Sequence, residues 1–224
     1  MSDVSAVGKL IREPWDELGL SESKAFALQR SGATFGIWVF IASEVLFFGA
    51  IFLLYAAMRI EHADAFAAAA RETNIVYGTL NTAILLTSGL TASVASRAAE
   101  HDGLRRLTLW CLAATAALGL AFLVVKGLEY REDIEKHLVP GPRFALAQAP
   151  AQLFFGFYWL STGVHAIHLS IGIGLVGRLI GKGLRDHEWL VGNAQVEIAL
   201  LYWGFVDVVW IFLYPALYLA GRAG

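Results

Sequence analysis

The sequence predicts an all-α polytopic membrane protein, a bundle of five transmembrane helices. The first ground is composition: the 224-residue chain is 57% hydrophobic and only 16% charged, where soluble domains use about 45–50% apolar residues. The second is distribution. The apolar residues fall into five runs of membrane-crossing length, whereas barrel strands are shorter and alternate. The third is that the 14 Phe, 7 Trp and 7 Tyr are the residues that favour membrane interfaces. A net charge of −2 gives no reason to expect a nucleic-acid partner.

Residues 1–30 read as a soluble N-terminal segment, with a short surface helix around Ser21 to Arg30. They lack the short apolar core and small-residue cleavage site of a signal peptide, so the first span is expected to act as the insertion signal.

The transmembrane domain is expected over 31–224, with spans at 33–58, 75–95, 106–128, 152–180 and 194–220. The first carries Glu44 near its middle, beside a stripe of small residues, Gly36, Ser43 and Ala50, of the kind that lets membrane helices approach. Residues 59–74 read as a charged connecting loop. In the second span Asn74, Asn81 and Ser88 recur every seven residues, a polar seam that should face protein because lipid offers no hydrogen bonds. The third is Ala/Leu-rich up to Lys126. The charges after it, Glu129 to Lys136, read as a solvated run, followed by a turn at Val139–Pro142. In the fourth, Ser161, His165, His168 and Gly172 share one helical face. In the fifth, Trp203, Asp207, Trp210 and Tyr214 do the same, and Pro215 is expected to kink or loosen the last turns. Cys111, the one cysteine, lies inside an apolar run and reads as a small buried side chain.

Basic residues set the expected orientation. The N-terminal segment and the two connections on its side hold 4, 3 and 3 Lys/Arg, against 7 on the other side. This favours the N-terminus in the cytoplasm and the C-terminus outside.

The ionisable groups at bilayer depth are Glu44, His165, His168 and Asp207. A carboxylate there costs about 2.5 kcal/mol or more, so each needs a partner or a proton. Three chemistries compete for this set. Two histidines at i, i+3 with a carboxylate suggest a metal or haem site, but two membrane-depth histidines are few ligands, and one helix cannot clasp a haem from both sides. A Glu–His–Asp chain is also the material of proton relays in pumps and transporters, although no internal repeat or broken-helix pair marks a transporter. The third is structural: Glu44 bonds a histidine of the fourth span, and Asp207 bonds its own neighbours. No phosphate loop or nucleophile triad appears, and the residues alone leave these readings open.

Five stretches, in order, resemble the subunit III family of the haem–copper oxidases, most of all the cytochrome c oxidase type. They are SEVLFFGAIFLLY at 43–55, LNTAILLTSG at 80–89, KGLEY at 126–130, FYWLSTGVHAIHLSIG at 157–172 and YWGFVDVVWIFLYPALYLAG at 202–221. The resemblance implies a non-redox subunit of a terminal oxidase of the bacterial inner membrane that passes electrons from cytochrome c to oxygen and pumps protons. It implies no cofactor in this chain, haem and copper in the partner subunits I and II, and bound phospholipid. The subunit would support proton uptake by the catalytic subunit and protect it during turnover. It places Glu44 on the family's buried glutamate and His165 and His168 on its paired histidines. Glu129, Glu197, Trp203, Asp207 and Trp210 also match motif positions, with Trp203, Trp210, Glu129 and Glu197 expected at lipid or subunit contacts. Two departures stand out. Gly204 replaces the histidine of the family's commonest Tyr-Trp-His-Phe-Val-Asp motif, so pairing of Glu44 would pass to His165 or His168. The chain also holds five spans where full-length members hold seven. Five-span relatives occur in quinol oxidases and beside nitric oxide reductases, which are the neighbouring alternatives. An independent transporter using Glu44 and Asp207 is the alternative from another class.

Overall fold

A chain that crosses a bilayer must satisfy its backbone N–H and C=O groups internally, and runs of this length do so as helices. The computed structural model describes residues 22–146, 149–186, 188–190 and 193–222. In order it holds α1 (Glu22–Glu61), α2 (Ala63–Glu72), α3 (Ile75–Ala98), α4 (Arg105–Glu135), α5 (Ala149–Arg185) and α6 (Ala194–Tyr214), the last continued by a π-helical turn, Pro215–Leu219. No strand occurs among the described residues. Five segments are long and apolar enough to cross a membrane: Ser31–Glu61, Ile75–Ala98, Arg105–Glu135, Ala149–Arg185 and Ala194–Leu219.

Met1–Phe40 and Ile41–Gly224 are separate compact units. In the first, residues 22–40 are helical, which takes in most of the short surface helix expected around Ser21 to Arg30; Ser21 and the rest of the N-terminal segment lie outside the described residues. The second unit holds the remainder of α1 and every later helix.

There α6 is the central helix. Trp203, Val206, Trp210 and Leu213 are buried along it, and α3 and α5 pack against it. Two indole N–H groups pin it to α3: Trp203 donates to Ser88 Oγ at 3.0 Å, and Trp210 to Thr82 Oγ1 at 3.1 Å. The expected polar seam of α3 therefore does face protein, with Asn81 and Ser88 fully buried and Asn74 capping the helix by accepting from Val76 N at 3.1 Å. Trp203 also wedges between α4 and α5. Its ring edge lies 2.7 Å from where a Cβ on Gly119 would stand, and 3.1 Å from one on Gly172, so glycine is what lets the three helices close on it.

The structure departs from the sequence expectations in three places. Residues 59–74 are not a loop: Ala63–Glu72 is a helix, because an alanine run has strong helix propensity and Ala65, Phe66, Ala69 and Ala70 form a buried face against α5. The α4 helix continues to Glu135 instead of ending at 128, because Glu129 and Asp133 turn inward (0% and 3% exposed). The small-residue stripe of α1 is turned outward. Ser43 and Ala50 are exposed, while Phe48 and Tyr55, also seven apart, are buried; two large rings fill the space beside α5 and α6 better than two small side chains. As expected, Pro215 loosens α6 into the π turn, which carries Tyr218 into the core.

The end of the chain is tied back. Tyr55 donates to the Ala216 carbonyl, Arg71 Nε to the Gly221 carbonyl at 2.8 Å, and Arg222 to the carbonyls of Arg71 and Thr73 at 2.9 and 2.6 Å.

Candidate functional site

Glu44 and His168 meet across α1 and α5. Glu44 Oε2 lies 3.2 Å from His168 Nε2, and the two side chains keep only 19% and 15% of their surface. His168 Nδ1 lies 2.9 Å from the Val164 carbonyl oxygen. A carbonyl can only accept, so Nδ1 carries a hydrogen. In a neutral imidazole Nε2 is then a bare acceptor, and Glu44 must donate as a carboxylic acid. In an imidazolium Nε2 donates to a carboxylate. Either arrangement places one proton between the two groups and leaves the pair neutral overall, which is how an acid at bilayer depth avoids an unpaired charge. Phe48, one turn along α1, packs its ring edge on the imidazole at 5.6 Å, and Tyr202 donates to the His168 carbonyl at 2.9 Å.

His165 sits three residues earlier in a different environment. It is 1% exposed, lies 5.1 Å from the Trp210 ring and meets the Phe122 edge at 5.5 Å. Neither of its ring nitrogens has a hydrogen-bond partner among the described residues. The two histidines share a helical spacing but not a site. Asp207 lies against Gly89 of α3, and its Oδ1 finds no donor among the described residues. No group of three His, Cys, Asp or Glu side chains placed to hold a metal occurs among the described residues.

The densest polar arrangement lies elsewhere, at the far end of α4, and sequence reasoning took it for a solvated run. Lys126 is 2% exposed. Its ammonium uses all three hydrogens: on Glu129 Oε2 at 2.9 Å, on Tyr158 Oη at 3.0 Å and on Tyr218 Oη at 2.7 Å. Each tyrosine passes its own hydrogen to a carboxylate, Tyr218 to Glu129 Oε1 and Tyr158 to Asp133 Oδ2, both at 2.7 Å. Every donor in the chain thus ends on an acid, the condition under which a buried ionic network holds together. The cation lies over four rings: Tyr158 at 4.4 Å, Tyr130 at 5.0 Å, Tyr218 at 5.4 Å and Trp210 at 5.8 Å. The signal was present in the sequence. Lys126, Glu129 and Asp133 stand at i, i+3 and i+7, one face of a helix.

The remaining expected residues divide between interior and surface. Trp203, Trp210 and Glu129 lie inside, at 0–1% exposure, bonded to Ser88, Thr82 and Lys126. Glu197 is exposed in the first turn of α6. Gly204 faces outward, with nothing within 4 Å of where its Cβ would be.

Comparison with known proteins gives a consistent result. The family model described as cytochrome c oxidase subunit III matches residues 6–222. The chain is 32% identical over 191 residues to the cytochrome c oxidase subunit 3 of Thermostichus vulcanus, covering 84% of this chain and 87% of that one. To the subunit 3 of Bacillus subtilis it is 30% identical over 190 residues, covering 84% and 86%. It is also 31% identical over 194 residues to a heme-copper oxidase subunit I+III of Aeropyrum pernix, covering 82% of this chain and 22% of that much longer one.

Proposed function

This chain belongs to the cytochrome c oxidase subunit III family, and from that premise we propose that it is the non-redox subunit packed against the catalytic subunit of a bacterial oxidase that draws electrons from cytochrome c. The observation that carries the partner assignment is the Aeropyrum pernix relative, named as subunits I and III in one chain. A relative that carries both subunits in one chain supports their lying side by side. Subunit II and phospholipid complete the proposed surroundings.

Within this chain the Glu44–His168 bridge is the group through which it acts on proton handling. It holds one proton at bilayer depth, keeps a fraction of its surface open and needs no metal. Its partner is His168, in keeping with the loss of a histidine at Gly204. The Lys126 cluster serves as the internal brace that fixes α4, α5 and the π turn. Haem and copper, the redox chemistry, belong to the partner subunits. The N-terminus lies in the cytoplasm, in keeping with the Lys/Arg distribution.

The test is to tag the chain, extract it gently from its native membrane and record what accompanies it. Haem and copper bands with a large catalytic subunit, and oxygen consumption on reduced cytochrome c, are the expected outcome. Consumption on a quinol alone would move the chain to the quinol-oxidase branch. A colourless chain that purifies alone would overturn the assignment.

A further inference from the structure

The Lys126 cluster holds unequal numbers of cations and acids. One ammonium, Lys126, stands among two carboxyl groups, Glu129 and Asp133, and the three residues are 2%, 0% and 3% exposed. The tyrosines that link them are neutral donors and leave the count unchanged. With both acids ionised the cluster would carry one net negative charge in the interior, where an unpaired charge is costly.

No second cation among the described residues closes the gap. Lys136 is half exposed and bonds Glu132 at 2.6 Å. Arg131 pairs with Glu135 at 2.9 Å on the surface. Arg71 and Arg222, at the tied-back end of the chain, donate to backbone carbonyls. From α5, His165 lies against Phe122 and Trp210 and bonds neither acid, and the Tyr130 hydroxyl is paired with Thr162 at 2.7 Å. The charged groups that act on Asp133 are therefore Glu129, Lys126 and Lys136, the last of them already matched by Glu132.

The hydrogen bonds say which acid is ionised. Glu129 accepts on both oxygens, from Lys126 at 2.9 Å and from Tyr218 at 2.7 Å. Asp133 accepts on Oδ2, from Tyr158 at 2.7 Å, the one donor its side chain meets among the described residues. Glu129 is thus the counter-ion of Lys126. Asp133 is the second acid beside a first, the arrangement in which one carboxyl keeps its proton. It also stands closer to water, two residues before the end of α4 and beside Glu132 and Lys136, whose side chains keep 32% and 48% of their surface.

We propose that Asp133 is a proton-binding site. An O–H bond forms at Oδ1, the carbonyl oxygen Oδ2 keeps the Tyr158 hydrogen, and the cluster becomes neutral. On deprotonation the proton passes to water at the end of α4 and one net negative charge remains. The brace between α4, α5 and the π turn is thereby sensitive to pH. Asp133 is neutral in the folded chain and ionised in the unfolded one at neutral pH, so the folded state loses stability as the pH rises. The site stands on the geometry of the cluster and does not depend on the role of Glu44 or on the electron donor.

The experiment uses the intact complex carrying this chain and compares its infrared spectra in H2O and D2O. The wild type is expected to show the C=O stretch of a protonated carboxylic acid, shifted to lower frequency in D2O, that D133N loses and E44Q keeps. Tyr158→Phe, which removes the donor to Oδ2 and leaves the acid in place, should move that band to higher frequency. This variant carries the test if D133N does not assemble. Thermal release of the chain from the complex should begin earlier as the pH is raised in the wild type, with a weaker dependence in D133N. A wild-type spectrum with no band that D133N removes overturns the proposal. So does a band that E44Q removes and D133N leaves, a band that Tyr158→Phe does not move, or equal pH dependence of release in wild type and D133N.

Discussion

Lys126 Nζ stands 2.7 Å from the hydroxyl oxygen of Tyr218, 92 positions further along the chain. That one bond joins the C-terminal third of α4 to the π turn that follows α6. Removing the cation strands two carboxylates, Glu129 and Asp133, in the interior. Lys126→Met should therefore cost about 3–5 kcal/mol, the usual penalty for taking one partner out of a buried ion pair. The double variant K126M/E129Q should recover part of that loss, because it also removes the stranded charge. Thermal unfolding of the purified complex and retention of this chain within it measure both. A K126M chain as stable as wild type would show that the network does not hold the fold.

Tyr218 is tested from two sides. Tyr218→Phe keeps the ring and deletes a hydroxyl that accepts from Lys126 and donates to Glu129, which should cost about 1–3 kcal/mol. Gly78→Ala leaves the hydroxyl alone but sets a methyl 2.7 Å from the Tyr218 ring. That ring cannot swing away without breaking both bonds, so overpacking should cost about 1–3 kcal/mol. The two variants should couple in a double-mutant cycle. Strict additivity would mean that the ring and the hydroxyl act separately.

Glu44 offers a sharper distinction. Glu44→Gln replaces the acid with an amide whose N–H can donate to His168 Nε2, so subunit retention should stay near wild type. Glu44→Leu removes the donor and leaves the imidazole nitrogen unpaired, at about 1–3 kcal/mol. His168→Leu does the same to Glu44, and its acid is then left at bilayer depth without a partner. The proposed proton role separates from this structural one in turnover. E44Q should assemble normally yet change the pH profile of oxygen consumption. An unaltered profile with normal assembly would reduce the bridge to a helix lock.

The parts of this structure that the sequence made legible are those set by local pattern. Five apolar runs fixed the spans, and the seven-residue spacing of Asn81 and Ser88 fixed the inward face of α3. The Glu44 partnership was narrowed to two histidines, since only one helix brought an imidazole to bilayer depth. What local pattern could not separate was His165 from His168. They are three residues apart, and the choice between them depends on where α1 lies against α5, a tertiary fact. The Lys126 cluster was missed for a related reason. A run holding Glu129, Arg131, Glu132, Asp133, Glu135 and Lys136 reads as solvated by composition, yet only its Arg131, Glu135 and Lys136 are exposed. The periodicity of the charges, weighed separately from their number, would have divided the run. The interior value of Tyr158 and Tyr218 as donors could not be read at all, because they arrive from other helices.

Two glycines that composition treats alike differ in what surrounds them. Gly119 faces Trp203, whose ring edge lies 2.7 Å from where a methyl group at this position would stand. That indole is held in place by its bond to Ser88 at 3.0 Å and by Gly172 on its other side. Gly119→Ala should therefore lose about 1–3 kcal/mol through overpacking, seen as early release of the chain from the complex on heating. Gly204, one residue beyond Trp203, faces open space, and Gly204→Ala should fall within about 0.5 kcal/mol of wild type, as substitutions that touch nothing do. Because Glu44 already has its proton-sharing partner in His168, the glycine at this position costs the bridge nothing. A Gly204→Ala chain that failed to assemble would place a partner's surface against this face of α6, and the identity of that partner could then be sought by cross-linking from position 204.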